Sequence, residues 1–154
     1  MNEEIEVLYR NQTWIISELP PSRKPIGGKC VYKIKYNSNG EVDRFKAGLV
    51  AKGYNQRDGI DYEETFSPIA KIVTIRIVIT LGVNSDWMFF QFDINNSFLY
   101  NDLDEDVYMS LSLGYHTKGD NHVFKLLKSL HGLKQAPRKW NEKLCSSLFE
   151  FGFF

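Results

Sequence analysis

Histidine and cysteine are scarce in this sequence. Three histidines (His116, His122, His131) and two cysteines (Cys30, Cys145) are all that its 154 residues carry. None of them falls in a C-x-x-C or H-x-x-x-H spacing, so a zinc site has no support. Two cysteines so far apart suggest no disulfide framework and point to a reducing, intracellular setting, cytoplasmic or nuclear rather than secreted. Long apolar runs are missing too, and none can span a bilayer. The opening, MNEEIEVLYR, is acidic and charged, unlike a signal peptide. Phosphate loops and nucleophile elbows are also absent. IGGKC (26–30) has two glycines and a lysine but not the P-loop spacing, and no G-x-S-x-G occurs.

A net charge is the last thing lacking, with 19 basic residues against 19 acidic ones. That balance conceals segregation. Residues 23–57 carry nine Lys or Arg against two acids, Glu41 and Asp43. Residues 125–143 carry six basic residues against Glu142 alone, and residues 91–109 carry five acids and no base. Such blocks suit a polyanion held beside a cation site, but on charge alone the solvated faces of ordinary elements account for them better. Hydrophobic residues make up 43% of the chain and charged ones 25%, enough apolar content for one globular domain.

What is present reads as an α+β chain. Ile5, Leu8 and Tyr9 sit at helical spacing in residues 2–10, and TWIISEL (13–19) reads as a strand. KCVYKIKY (29–36) alternates, with Cys30, Tyr32, Ile34 and Tyr36 on one face and Lys33 and Lys35 on the other. NSNG (37–40) is a turn signal, and 42–54 is the return strand of a hairpin with a basic face. QRDGIDYEETFSP (56–68) is an acidic loop. Ser67-Pro68 then reads as a cap opening a buried helix over 69–83. WMFFQFD (87–93), DVYMSL (106–111) and HVFKLLK (122–128) are predicted strands, with a short helix or turn at 95–100. Pro137 opens a last helix carrying Trp140, Leu144, Leu148 and Phe151 on one stripe.

DLDED (102–106) invites a calcium reading, which fails. An EF-hand loop needs Gly sixth and Glu twelfth, and those positions hold Val107 and Leu113. A solvated turn before a strand fits better. Asp93 is harder to dismiss, because a carboxylate ending an apolar strand is costly to desolvate without a partner. It can hold a hard cation such as magnesium, or cap the following turn.

Three blocks resolve this by likeness. IGGKCVYKIKYNSNGEVDRFKAGLVAKGYNQRDGIDYEETFSPIAK, FDINNSFLYNDLDEDVYM and KLLKSLHGLKQAPRKWNEKL resemble, in order and spacing, the reverse transcriptase of copia-type retrotransposons. The likeness runs from about Asn11 to the end, leaving 1–10 as an N-terminal helix. It implies a right-hand polymerase fold, of which these residues would be fingers and part of the palm. It also implies an RNA-directed DNA polymerase working with an RNA or DNA template-primer and dNTPs, away from any membrane, as part of a polyprotein. Asp93 matches the first catalytic aspartate and a magnesium ligand (manganese being the alternative ion). Ile94 would contribute through its backbone, and Phe98 matches the aromatic gate that excludes a ribose 2′-OH. Lys46, Lys52, Lys134 and Gln135 match nucleotide-contacting positions, and Lys33, Lys35, Arg138 and Lys139 would meet nucleic acid.

The sequence departs from the family pattern at several points. Gly48 stands for a usual Arg, Cys30 for Trp, His131 for Tyr and Ser97 for Ala, and LSLGY (111–115) lacks the usual prolines. The aromatic-x-Asp-Asp motif is not among the 154 residues. The expectation is therefore that this chain alone does not polymerise, and that the strands around 87–93 and 106–111 have an unpaired, aggregation-prone edge. A non-catalytic nucleic-acid-binding remnant and a decayed reading frame are the competing readings.

Overall fold

The computed structural model describes residues 2–68, 70–91, 94, 97, 101–110 and 121–153. In chain order these form α1 (Asn2–Arg10), β1 (Trp14–Glu18), β2 (Gly28–Tyr36), β3 (Val42–Ala51), a 3-10 turn (Gly53–Asn55), α2 (Ile72–Asn84), β4 (Asp102–Ser110), β5 (His122–Lys128) and α3 (Ala136–Glu150). The arrangement is α+β, with two antiparallel sheets.

The larger sheet has the order β1-β5-β4. Trp14 pairs with Leu126 on one side of β5 and Val107 pairs with the same Leu126 on the other, so β5 is the central strand. Alternate residues of a strand face one side, and here that side is apolar. Phe124 and Leu126 of β5 meet Trp14, Val107 and Met109, and the Trp14 and Phe124 rings lie 4.6 Å apart, tilted. Leu8 of α1 closes one flank; Leu130, Leu133 and Ala136, at the approach to α3, close another. The outer edge of β4 is not bare as expected. Ile26 bridges Met109 there: its N–H donates to the Tyr108 carbonyl and its own carbonyl accepts from the Ser110 N–H.

β2 and β3 make a separate two-stranded ribbon. Its turn is the one the sequence announces. Gly40 takes a left-handed φ of 84°, which glycine adopts at no steric cost, and its N–H donates to the Asn37 carbonyl at 3.0 Å. Leu49 and Ala51 at the root of the ribbon join the core, while the tip projects from it. β3 ends at Ala51 rather than running to residue 54. The Lys52 N–H still donates to the Gly27 carbonyl, one rung past the Gly28–Ala51 pair, while the Ala51 N–H points outward to the His131 carbonyl, and the chain then leaves the ladder in the 3-10 turn Gly53–Asn55.

Three further expectations need correction. Helix α2 exists but is not buried: Ile72, Ile77, Leu81 and Val83 are all more than half exposed. It starts at Ile72 behind Lys71, without a side-chain cap, and Ser67 Oγ donates to the Pro137 carbonyl instead. Residues 87–91 form no strand, because no neighbouring segment among the described residues offers them a ladder. Met88 is 82% and Phe90 74% exposed. Phe92 and Asp93 lie outside the described residues, as do all of 95–100 except Ser97. Finally, DLDED is the first half of β4, not a solvated turn. The last helix keeps its proline in the first turn, but Phe151 falls just beyond its end.

Candidate nucleic-acid interface

The ribbon's register decides what its faces carry. Lys33 pairs with Lys46, Lys35 with Arg44 and Val31 with Gly48. Directly opposed residues of a ladder share a face, so four cations stand together on one side. Like charges directly opposite each other destabilise a ladder. Among the described residues no acid forms an ion pair with Lys33, Lys35 or Lys46, and Arg44 meets only its neighbour Asp43, at 3.8 Å. An open groove of about 470 Å³ runs along this face. Lys33, Lys35 and Lys46 line it, with Val31, Gly48, Leu49, Val50 and His131.

His131 reaches the groove because the β5–α3 loop docks on the end of β3. Two glycines permit that approach. A Cβ built on Gly53 would lie 1.9 Å from the Gly132 carbonyl oxygen, and one on Gly132 would lie 2.2 Å from that of Ala51. Lys52 sits at this junction outside the groove, its stem packed over Gly27.

A buried polar cluster holds the loop in place. Gln56 Oε1 accepts the Lys134 N–H at 2.8 Å, and Gln56 Nε2 donates to Gln135 Oε1 at 2.9 Å. Gln135 is fully buried and donates to the Asp61 carbonyl at 3.2 Å. The Asp61 carboxylate accepts the Arg57 N–H at 2.8 Å and is flanked by the Arg23 and Arg57 guanidinium groups. The Lys134 ammonium lies 4.6 Å from the centre of the Tyr62 ring and donates to its hydroxyl at 3.1 Å. Gln56 and Asp61 escaped the sequence reading. Their one local signal is the four-residue step from Arg57 to Asp61.

Arg138 and Lys139 point elsewhere. Arg138 pairs with Glu64 at 3.6 Å and with Glu105 and Glu142 at 3.5 Å each. Lys139, only 8% exposed, pairs with Asp104 and, at 3.5 Å, with Glu142. Lys125 of β5 pairs with Asp106 at 2.7 Å. Hydrogen bonds from Lys139 and Lys125 hold the Asp104 and Asp106 carboxyls below their usual range. Burial pulls the Lys139 ammonium down, and the carboxylates of Asp104, Glu142 and Glu105 together more than reverse this, leaving it above its usual value. The acidic block thus serves as counter-charge to the second basic block, which leaves Arg138 and Lys139 occupied within the chain.

The structure therefore gathers Lys33, Lys35 and Lys46 into one groove. It seats Lys134 and Gln135 in the scaffold behind the groove wall and ties Arg138 and Lys139 to β4. Ile94 is a half-exposed coil residue, and Asp93 and Phe98 lie outside the described residues. Among the described residues no group of three or more His, Cys, Asp or Glu side chains is placed to hold a metal ion.

Comparison with known proteins bears on the family of the chain. Residues 11–154 match the family described as reverse transcriptase (RNA-dependent DNA polymerase). The retrovirus-related Pol polyprotein from transposon RE1 of Arabidopsis thaliana is 48% identical over 155 aligned positions, which cover 99% of this chain and 11% of that protein. The retrovirus-related Pol polyprotein from transposon TNT 1-94 of Nicotiana tabacum is 43% identical over 147, covering 95% of this chain and 11% of that protein. An uncharacterized mitochondrial protein of Arabidopsis thaliana is 42% identical over 95, covering 58% of this chain and 56% of that protein. The chain thus spans about a tenth of the length of the two polyproteins. No solved structure matches it.

Proposed function

Because the chain belongs to the reverse transcriptase (RNA-dependent DNA polymerase) family, we propose that its cationic ribbon face holds the phosphates of a template-primer or of an incoming dNTP. The polymerase to which it contributes joins dNTPs to a primer 3′-OH. The observation that carries this is the pairing of like charges, Lys33 with Lys46 and Lys35 with Arg44, along one open groove. That arrangement is unfavourable in the free protein, and a bound polyanion relieves it. Contacts of this kind carry no base preference, as copying any template requires.

In this reading β2 and β3 act as fingers over the bound strand, and the β1-β5-β4 sheet is the beginning of a palm. Divalent metal ions are a general requirement of the family. Asp93 is the proposed carboxylate for magnesium, with the Ile94 backbone beside it, and Phe98 is the proposed gate against ribonucleotides. Lys134 and Gln135 act by position: they fix the wall that carries His131. The reading of a decayed remnant, which rests on Gly48 and the absent aromatic-x-Asp-Asp motif, is not favoured over this one.

The test is a salt titration of binding to a labelled single-stranded oligonucleotide. Each phosphate contact contributes about −0.7 to the slope of log affinity against log salt. The double variant Lys33→Gln with Lys46→Gln should flatten the slope by about 1.4 units. An unchanged slope would remove the groove from the binding surface.

A further inference from the structure

The face of the ribbon opposite the lysines is unlike an ordinary solvated strand face. Tyr32, Ile34 and Tyr36 of β2 share it with Val42, Phe45 and Ala47 of β3. At the root the same face turns into the core through Leu49. Towards the tip it carries three rings in solvent: Tyr36 is 61%, Tyr32 67% and Phe45 78% exposed. Phe45 pairs with Ile34, which places it diagonal to both tyrosines. Exposed apolar surface of this kind marks a contact site. Flat rings, rather than aliphatic chains, suit a flat ligand.

We propose that this aromatic face stacks the unpaired bases of single-stranded nucleic acid. The inference rests on the phosphate-binding reading above and adds a second, chemically separate contact. Charge complementarity supports the choice of partner. The four cations lie one ribbon thickness behind the rings, within roughly a Debye length of ~8 Å plus the reach of a lysine side chain around the ribbon edge. Spacing supports an unpaired strand over a duplex. Diagonal neighbours in a ladder are about 7–8 Å apart. Bases in a duplex follow one another at about 3.4 Å. Only a strand drawn out of its own stack can lay successive bases on successive rings. The stacking is tolerant of sequence, because every base has a π-face.

Two probes of equal length separate the contacts: a fluorescein-labelled oligothymidylate and an abasic oligonucleotide with the same phosphates. Each base stacked on a ring is worth roughly 5- to 150-fold in affinity. The chain should therefore prefer oligothymidylate by about tenfold or more. Tyr32→Ala, Tyr36→Ala and Phe45→Ala together should abolish that preference and leave abasic affinity and the far-UV circular dichroism melt unchanged. Phe45→Tyr should retain it. A preference that survives the triple alanine variant overturns the stacking face. So does a dimer that the same variant turns into a monomer, which would make the face an interface between copies. Failure of the abasic probe to bind in a salt-sensitive way sinks the phosphate reading alone. Failure of both probes sinks both.

Discussion

An alanine at position 53 would place a methyl group against the Gly132 carbonyl oxygen, where no rotamer can move it aside. Relief requires the two backbones to part, and overpacking of this kind costs about 1–3 kcal/mol. Gly53→Ala should lower the urea midpoint accordingly, whereas Gly40→Ala should act through its left-handed φ alone, since its Cβ meets nothing. The two glutamines give a second prediction. Removing Gln135 takes one hydrogen bond each from Gln56 Nε2 and the Asp61 carbonyl, which keep only their own bond to each other at 3.4 Å, a loss of about 0.5–1.5 kcal/mol. Gln56→Ala and Gln135→Ala should each destabilise in urea, and the double variant should lose less than the sum. Additive losses would mean that the pair does not act as a unit. Gln135 was singled out by likeness, as a nucleotide contact, but its pairing with Gln56 was not legible in the sequence. The two lie far apart in the chain, and a polar pair leaves no periodic trace.

Ion pairs join β4 to β5 and α3, and they set a pH window. Asp104 and Asp106 titrate below their usual range, so their contribution is present above about pH 4 and is lost as pH falls through the depressed values. Lys125 and Lys139 titrate above theirs, so their contribution is complete below about pH 10 and is lost at still higher pH. Thermal melts should show a plateau between these limits, and Asp104→Asn should remove part of the fall on the acid side. The carboxylates are largely exposed, so the effect is modest and weaker in high salt. Helix α2 behaves differently. Ile77→Lys on its exposed surface should leave the unfolding free energy within about 0.5 kcal/mol and reduce light scattering on concentration. A fall of several degrees in melting temperature would show that the helix is packed in solution. The hairpin was legible because its strict alternation and turn residues are local. The helix was legible by length, but its exposure was not, since apolarity all round is what a buried helix also shows. The alternation in DLDED was visible, whereas Lys139 is too far along the chain to be seen as its partner.

Across the whole molecule, the ribbon and the three-stranded sheet share one core but differ in how they are closed. The family, the α+β class and the basic hairpin could all be read from the residues. The separation of the two basic blocks into a groove and a set of internal ion pairs could not, because it depends on which acids the fold delivers to each. β2 and β3 are neighbours in the chain and can pair as soon as both have emerged from a ribosome. β1 and β4 cannot pair with each other, because their shared partner β5 begins only at His122. Until that strand is synthesised, an early cationic hairpin stands beside two strands that lack their shared partner. Such long-range closure is slow and exposes unpaired edges meanwhile. During synthesis, therefore, its basic ribbon can form at a stage when its sheet cannot.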